Sequence, residues 1–338
     1  MMAKTFVKIA AATILIGAVD AYSCTADFEN CMSFGITAFV LTDQPGVHKA
    51  TLDGAGIQNE IPVIVSRDKT GFYHVQLGKV AARGGNVQIT AFDKNAYCQI
   101  VSWSGGVVNV KCYGPDAQPI DSRFSLLFKK DVWDKNITLD YRLASDPGYA
   151  LKAQSVAWGR EGSARIVRKG VGSFFVSYRT KHPRRASLQV TALGADPAYC
   201  NVMDWSDRGI SVQCFSIKDH QPINSGFTLL HTGWSADKVV WQNNPADKEY
   251  VFVGNPDSSN PHDGVIIVRQ SPGMFHVGLG EPALRDGGNV QVTAYGSDAH
   301  CSIKEIDSEG VLVSCFRGTE PADSRFGLLY DRRTHQIY

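Results

Sequence analysis

Hydrophobic and polar residues alternate along this chain in short bursts, and the bursts recur. In the first hundred residues after the N-terminal segment the alternation predicts strands near Ala38–Thr42, Val63–Arg67, Phe72–Leu77, Val87–Phe92, Cys98–Trp103, Val107–Cys112 and Phe124–Phe128. Gly, Pro, Asp and Asn separate them. No segment sustains a 3.6-residue apolar period, so the pattern predicts little helix. Short strands at roughly 8–12-residue spacing are the signature of a β-sandwich. Tyr73, Val75 and Leu77 share one face of their strand and His74 and Gln76 the other. The same parity returns in Phe174, Val176 and Tyr178, and again in Phe275, Val277 and Leu279.

The pattern is written three times. Val87-Gln88-Ile89-Thr90-Ala91 recurs as Leu188-Gln189-Val190-Thr191-Ala192 and as Val290-Gln291-Val292-Thr293-Ala294. Gly71, Gly172 and Gly273 precede equivalent strands, where a turn with positive φ is expected. The expected architecture is therefore all-β: three tandem β-sandwich (Ig-like) repeats of about 100 residues, each with one disulfide inside a hairpin. The boundaries fall at 36–130, 131–233 and 234–338, and short connectors imply that neighbouring modules touch. A ring or propeller of the three copies is the weaker architectural alternative.

Cysteine spacing gives the sharpest expectation. Cys98 and Cys112, Cys200 and Cys214, and Cys301 and Cys315 are each 14 apart, with Gly105 and Gly106 midway in the first pair. A hairpin folded there sets Cys98 opposite Cys112 and Ile100 opposite Val110. It likewise sets Val202 opposite Val212 and Ile303 opposite Val313. Facing strand residues lie close enough for a disulfide. A metal site is disfavoured, because no Cys-x-x-Cys and no nearby His partner occurs. Cys24 and Cys31 remain and should pair, pinning residues 22–35.

Residues 1–21 read as a secretory signal: Lys4 and Lys8, an apolar run from Ile9 to Val19, then small residues before Tyr22. No later stretch is apolar and long enough for a transmembrane helix. The expected location is secreted and extracellular, or periplasmic, consistent with an even count of eight cysteines. Lys plus Arg number 34 and Asp plus Glu 33, a balance that predicts no specific nucleic-acid binding.

Repeated residues favour structure over function, since a scaffold demands the same residue in every copy. Arg67, Arg168 and Arg269 recur at one position, and Asp121-Ser122-Arg123-Phe124 returns as Asp323-Ser324-Arg325-Phe326 but degenerates to Asn224-Ser225-Gly226-Phe227. Each arginine is expected to tie a strand end to a nearby acid or carbonyl; a threefold set of carboxylate or phosphate contacts is the functional alternative. Candidate ligand-binding residues come from where copies differ. The loop before the second Gln-Thr strand carries Arg179, Lys181, His182, Arg184 and Arg185, suited to a sulfated or phosphorylated polymer. Trp103 and Trp205 take outward parity beside the cysteines, where an aromatic stacks on a sugar or on the next module. The oxygen-rich segment Asn255–Gly264 matches no standard calcium loop. No Gly-x-Ser-x-Gly, His-Glu-x-x-His or phosphate loop occurs, so no catalytic residues, metal or cofactor are assigned.

The run Gly287-Gly288-Asn289-Val290-Gln291-Val292-Thr293-Ala294-Tyr295-Gly296, followed by two cysteines and Asp323-Ser324-Arg325-Phe326, resembles a group of secreted bacterial tandem-repeat proteins. The resemblance covers all three repeats. It implies export and a bacterial source, and no particular activity. The expectation is a non-catalytic binding or adhesion protein for extracellular glycans, polyanionic polymers or cell surfaces. The alternatives are a secreted hydrolase with carboxylates in one module or inter-module cleft, and a structural envelope or surface protein. Oligomeric state stays open.

Overall fold

The computed structural model describes residues 36–42, 46–52, 59–78, 85–130, 137–141, 164–178, 187–206, 209–232, 238–242, 250–253, 266–279 and 288–332. Among these every regular element is a strand. The first repeat gives β1 (Ile36–Thr42), β2 (Gly46–Leu52), β3 (Asn59–Lys69), β4 (Phe72–Gln76), β5 (Asn86–Phe92), β6 (Tyr97–Ser104), β7 (Val107–Tyr113) and β8 (Arg123–Lys130). The second gives β9 (Ile137–Tyr141), β10 (Ala164–Gly170), β11 (Ser173–Tyr178), β12 (Ser187–Leu193), β13 (Ala198–Ser206), β14 (Gly209–Ser216) and β15 (Gly226–Thr232). The third gives β16 (Lys238–Gln242), β17 (Tyr250–Val253), β18 (Ile266–Ser271), β19 (Met274–Gly278), β20 (Gly288–Tyr295), β21 (His300–Ile306), β22 (Gly310–Arg317), β23 (Glu320–Pro321) and β24 (Arg325–Arg332).

All seven strands expected in the first repeat are present, and β2 is an addition. The disulfides Cys98–Cys112, Cys200–Cys214 and Cys301–Cys315 cross-link β6 to β7, β13 to β14 and β21 to β22. Ile100 faces Val110, Val202 faces Val212 and Ile303 faces Val313, as the hairpin register requires. Cys24 and Cys31 lie outside the described residues.

Each repeat packs two layers around its own core. In the first repeat, β1-β8-β5 faces β2-β3-β4-β7-β6, and Val75, Leu77, Val87, Ile100, Val110, Phe124 and Phe128 fill the space between. Equivalent clusters fill the second and third repeats. This strand order is not the immunoglobulin order, so the Ig-like expectation is corrected. The repeats are also joined more closely than by contact between neighbours. Three sheets each take strands from two repeats: β2-β3-β4-β7-β6 continues into β12-β15-β9, β10-β11-β14-β13 into β20-β24-β16-β17, and β18-β19-β22-β21 into β5-β8-β1. The joints are parallel contacts, Ile100 with Leu193, Val202 with Tyr295 and Ile303 with Phe92. The third repeat thus closes back onto the first, giving a pseudo-threefold ring. The physical reason is edge pairing: left alone, β5 and β6 would expose unpaired backbone along their outer edges.

The pseudo-threefold axis runs between β5, β12 and β20, whose polar residues are buried rather than wetted. Thr191 Oγ1 donates to Gln88 Oε1 at 2.9 Å, Thr293 Oγ1 to Gln189 Oε1 at 2.8 Å, and Thr90 Oγ1 to Gln291 Oε1 at 2.9 Å. The same three hydroxyls accept backbone N–H bonds from Ile89, Val190 and Val292. Each Gln Nε2 donates onward, to Asn86 and Thr228, to Ser187 and the Gly327 carbonyl, and to Asn289 and Ser125. The circuit closes after three steps with both ends of every amide satisfied.

A Thr191→Val change keeps the shape and leaves the Gln88 Oε1 and the Ile89 N–H without their partner. Urea denaturation should show a loss of about 2–4 kcal/mol, the cost of stranding two buried polar groups. The unfolding should remain a single transition, because each sheet spans two repeats; separate transitions for the three repeats would contradict the shared-sheet architecture.

Candidate functional site

The three inner strands run the same way along the axis, so the molecule has two distinct poles. Asn86, Ser187 and Gly288 mark the ends at which β5, β12 and β20 begin. The segments that precede those ends in the sequence are residues 79–84, 179–186 and 280–287. Arg179, Lys181, His182, Arg184 and Arg185 lie outside the described residues, as does Asn255–Gly264. The frame that follows these segments is shared; their sequences are not.

The opposite pole is closed by aromatic rings. Tyr97, Tyr199 and His300 each precede the first cysteine of their repeat and converge on the axis. His300 stacks on Tyr97 with ring centres 4.2 Å apart, and Tyr199 lies 5.2 Å from Tyr97. Tyr113, Phe215 and Ile217 complete the plug. Tyr199 Oη donates to the Asp298 carbonyl at 2.6 Å and meets His220 Nδ1 at 3.0 Å. His300 Nε2 contacts the Ala96 carbonyl at 2.8 Å. Burial raises the Tyr97 and Tyr199 hydroxyls above the usual phenol range. His300 keeps an accessible edge, but removal of its ring from water lowers it to about 4.

Trp103 and Trp205 are not outward platforms. Trp103 is 7% exposed and belongs to the core of the first repeat. Trp205 is partly buried, packed on the second core with its ring edge toward His231. The cause is a β-bulge between Ile100 and Ser102, repeated between Val202 and Asp204 and between Ile303 and Glu305. One extra residue reverses the parity of everything after it, and Ile306 turns inward by the same device.

Two of the three repeated arginines, Arg67 and Arg269, are structural ties. Arg67 Nε and Nη2 donate to the two Asp121 oxygens at 2.8 and 2.7 Å, and Arg269 clasps Asp323 in the same way. Asp121 and Asp323 also accept the N–H of Gly71 and Gly273, whose φ values are 69° and 68°. The Arg67 guanidinium, followed by the Gly71 N–H, holds the Asp121 carboxyl down to about 2. In the second repeat Asn224 keeps the bond from the Gly172 N–H and carries no charge to pair with Arg168. Among the described residues no group of His, Cys, Asp or Glu could hold a metal, no cysteine is free, and no helix is long and apolar enough to cross a membrane.

The three seams between repeats are not equivalent, and sequence reading missed this. At two of them an arginine lies on an aromatic ring: Arg123 sits 4.2 Å from the Phe92 centroid and Arg325 sits 4.7 Å from that of Tyr295. Each is the cross-strand neighbour of its ring. At the third seam the corresponding pair is Gly226 and Leu193. A cavity of about 260 Å³ opens there, lined by Val101, Ser102, Leu193 to Asp196, and Asn224 to Gly226. The degenerate Asn224-Ser225-Gly226 was the available signal; its position beside a neighbouring repeat was not legible. Compared with known proteins, the chain matches no family model, no curated protein and no solved structure.

Asp121→Asn should reproduce the second repeat's arrangement and cost under about 1 kcal/mol, since the lost ion pair is solvent-screened. Asp121→Ala also strands the Gly71 N–H and should cost about 1 kcal/mol more, as read by thermal or urea unfolding. Above pH 5 the ordering holds; it fades as the carboxylate protonates on approach to its folded value near 2.

His300 supplies a second pH dependence. An unfolded histidine binds its proton near pH 6.5 and the folded one only near 4, so stability falls as pH drops through that window and levels off below it. The drop attributable to His300 is about 2 kcal/mol, allowing for its accessible edge. His300→Tyr, which matches the other two copies, should remove this part of the difference between urea midpoints at pH 7 and pH 4.5; an unchanged difference would assign it elsewhere.

Proposed function

We propose that this protein is a secreted, non-catalytic binding protein whose ligand is an extracellular polyanionic polymer or glycan, read by the loops at the pole where the inner strands begin. The observation that carries this reading is topological. One buried frame, identical in its Gln and Thr positions, sets the starts of three inner strands side by side, and the segments that precede those starts differ in sequence. Loops on a rigid scaffold are where recognition residues concentrate. The basic segment Arg179–Arg185, which precedes the second inner strand, offers cationic side chains suited to sulfate or phosphate groups. The chain's near-neutral net charge of +1 makes the attraction local to this loop.

Export rests on the N-terminal signal pattern together with the disulfides, and a bacterial source on the repeat resemblance. The three repeats are three ring-joined sandwich units of one architecture. Trp103 and Trp205 drop out as sugar platforms, since the bulges turn them toward the cores.

The test is retention of the full-length exported chain on a panel of sulfated, phosphorylated and neutral polysaccharides at low and high salt. Binding to the charged polymers should weaken steeply with salt and fall at least tenfold in the Arg184→Ala, Arg185→Ala double variant. Retention that survives both high salt and the double change would remove the loop from the site. Silence across the panel would overturn the binding reading.

A further inference from the structure

We infer that the cavity at the seam between the first and second repeats receives the guanidinium end of an arginine side chain presented by a partner polypeptide. This site is independent of the loop pole and does not rest on the polymer-binding reading.

The three seams are built on one backbone plan. The N–H of Gly194, Gly296 or Asp93 donates to the carbonyl of Ile100, Val202 or Ile303, joining a neighbour's strand to the end of an inner strand. At two seams the first residue of the closing strand is an arginine, Arg325 or Arg123, laid over the aromatic ring opposite it. The guanidinium of Arg325 lies so close over Gly296 that a Cβ there would collide with it. At the equivalent Gly194 a Cβ would meet nothing within 4 Å. The cavity is thus the space that an arginine occupies at a sister seam of the same molecule, emptied because Gly226 stands where Arg325 and Arg123 stand.

Its chemistry still suits a cation. Asp196 is the acidic residue of the lining; Ser102, Asn224 and Ser225 are its polar residues, each oxygen already holding one internal hydrogen bond and keeping a further lone pair; and Leu193 is apolar. Repeat 2 carries one more residue than its sisters between the inner strand and the cysteine, Leu193 to Cys200 against Phe92 to Cys98 and Tyr295 to Cys301. Asp196 lies on this longer connection. A planar guanidinium with five donors matches such a ring of acceptors better than an ammonium does. At about 260 Å³ the space fits one side chain and falls below the usual range for small-molecule pockets. The strand position itself is filled by β15 through Gly226, so the cavity takes a side chain and not a strand.

The experiment uses the full-length chain, isotope-labelled, with backbone amide shifts followed by NMR during titration with capped Gly-Arg-Gly, free arginine, N-methylguanidinium, capped Gly-Lys-Gly and capped Gly-citrulline-Gly. Capped Gly-Arg-Gly and N-methylguanidinium should move the amides of Gly194, Ala195, Asp196, Ser225 and Gly226 with millimolar affinity. The lysine peptide should bind about fivefold more weakly and the citrulline peptide should do nothing. Gly226→Arg should abolish the response and raise the thermal midpoint, since Gly226 needs no positive φ and the variant rebuilds the sister seam in cis. Asp196→Asn should weaken arginine binding about fivefold while leaving the spectrum folded. No response up to tens of millimolar, an equal response to citrulline, or a response that survives Gly226→Arg would overturn the inference. A clear preference for free arginine over the capped peptide would overturn the polypeptide partner.

Discussion

The closed circuit of Gln88, Gln189 and Gln291 with Thr90, Thr191 and Thr293 is the constraint on which the ring depends. Hydrophobic contact is nondirectional and would let three apolar strands slide along one another. Buried amides and hydroxyls do not slide, because each stranded group costs about 1–3 kcal/mol. Moving one inner strand by a residue would exchange its polar and apolar faces and break bonds to both neighbours at once. The circuit therefore fixes register in three copies together, and it explains why the inner strands differ so little from copy to copy. Val, Leu and Ile exchange among the core-facing positions, while Gln and Thr hold in all three.

Register along the axis then dictates the seams. Once β5, β12 and β20 are level, the strand that follows the plug residue in each repeat falls beside the next inner strand, and a single parallel contact joins the two. Eight-stranded sheets result without any long edge at the joints. The first and third repeats, far apart in sequence, become neighbours through Phe92 and Ile303. Asp93 holds this seam with a φ of 75° where the other two use glycine, and its carboxylate reaches Lys304 of the third repeat at 3.2 Å. An αL aspartate is tolerable, and here the conformation also aims the side chain across the joint.

Local features were legible in the sequence and relational ones were not. Period-2 alternation located the strands, the 14-residue cysteine spacing fixed three hairpin registers, and Gly71 signalled a turn whose φ is indeed positive. Arginine ties to a nearby acid or carbonyl were also anticipated; the structure shows them for Arg67 and Arg269 and supplies the partners, Asp121 and Asp323. The bulge after Ile100 was hidden because Ile100-Val101-Ser102-Trp103 offers alternating residues in either parity; only the cross-strand register reveals which one is extra. The alternation of Gln and Thr with Val reads as a strand with one wet face. Nothing in a single copy says that two further copies will cover that face and supply its hydrogen bonds. The Asn224-Ser225-Gly226 departure was visible, but a missing arginine becomes a cavity only when Leu193, Val101 and Ser102 are known to surround it.

A threefold axis that demands identity confines individuality to its periphery. Both conspicuous departures belong to the second repeat, and they lie at the two ends of one strand. The basic loop enters β12 at Ser187, and the cavity opens where β12 ends at Leu193. Seven extended residues separate these ends by about 20 Å, beyond the reach of one small ligand. Their chemistry is also opposite: cationic side chains cluster before the strand, and a carboxylate with neutral acceptors follows it. Loss of one arginine by drift would leave the acid that accompanied it unpaired. At this seam Ser102 stands where the other bulges carry Asp204 and Glu305, so both the arginine and the acid of the sister seams are absent here. The carboxylate that remains, Asp196, sits on the longer connection peculiar to this repeat. The second repeat thus keeps the frame's hydrogen bonds intact while its sequence departs from its sisters just before the inner strand and just after it.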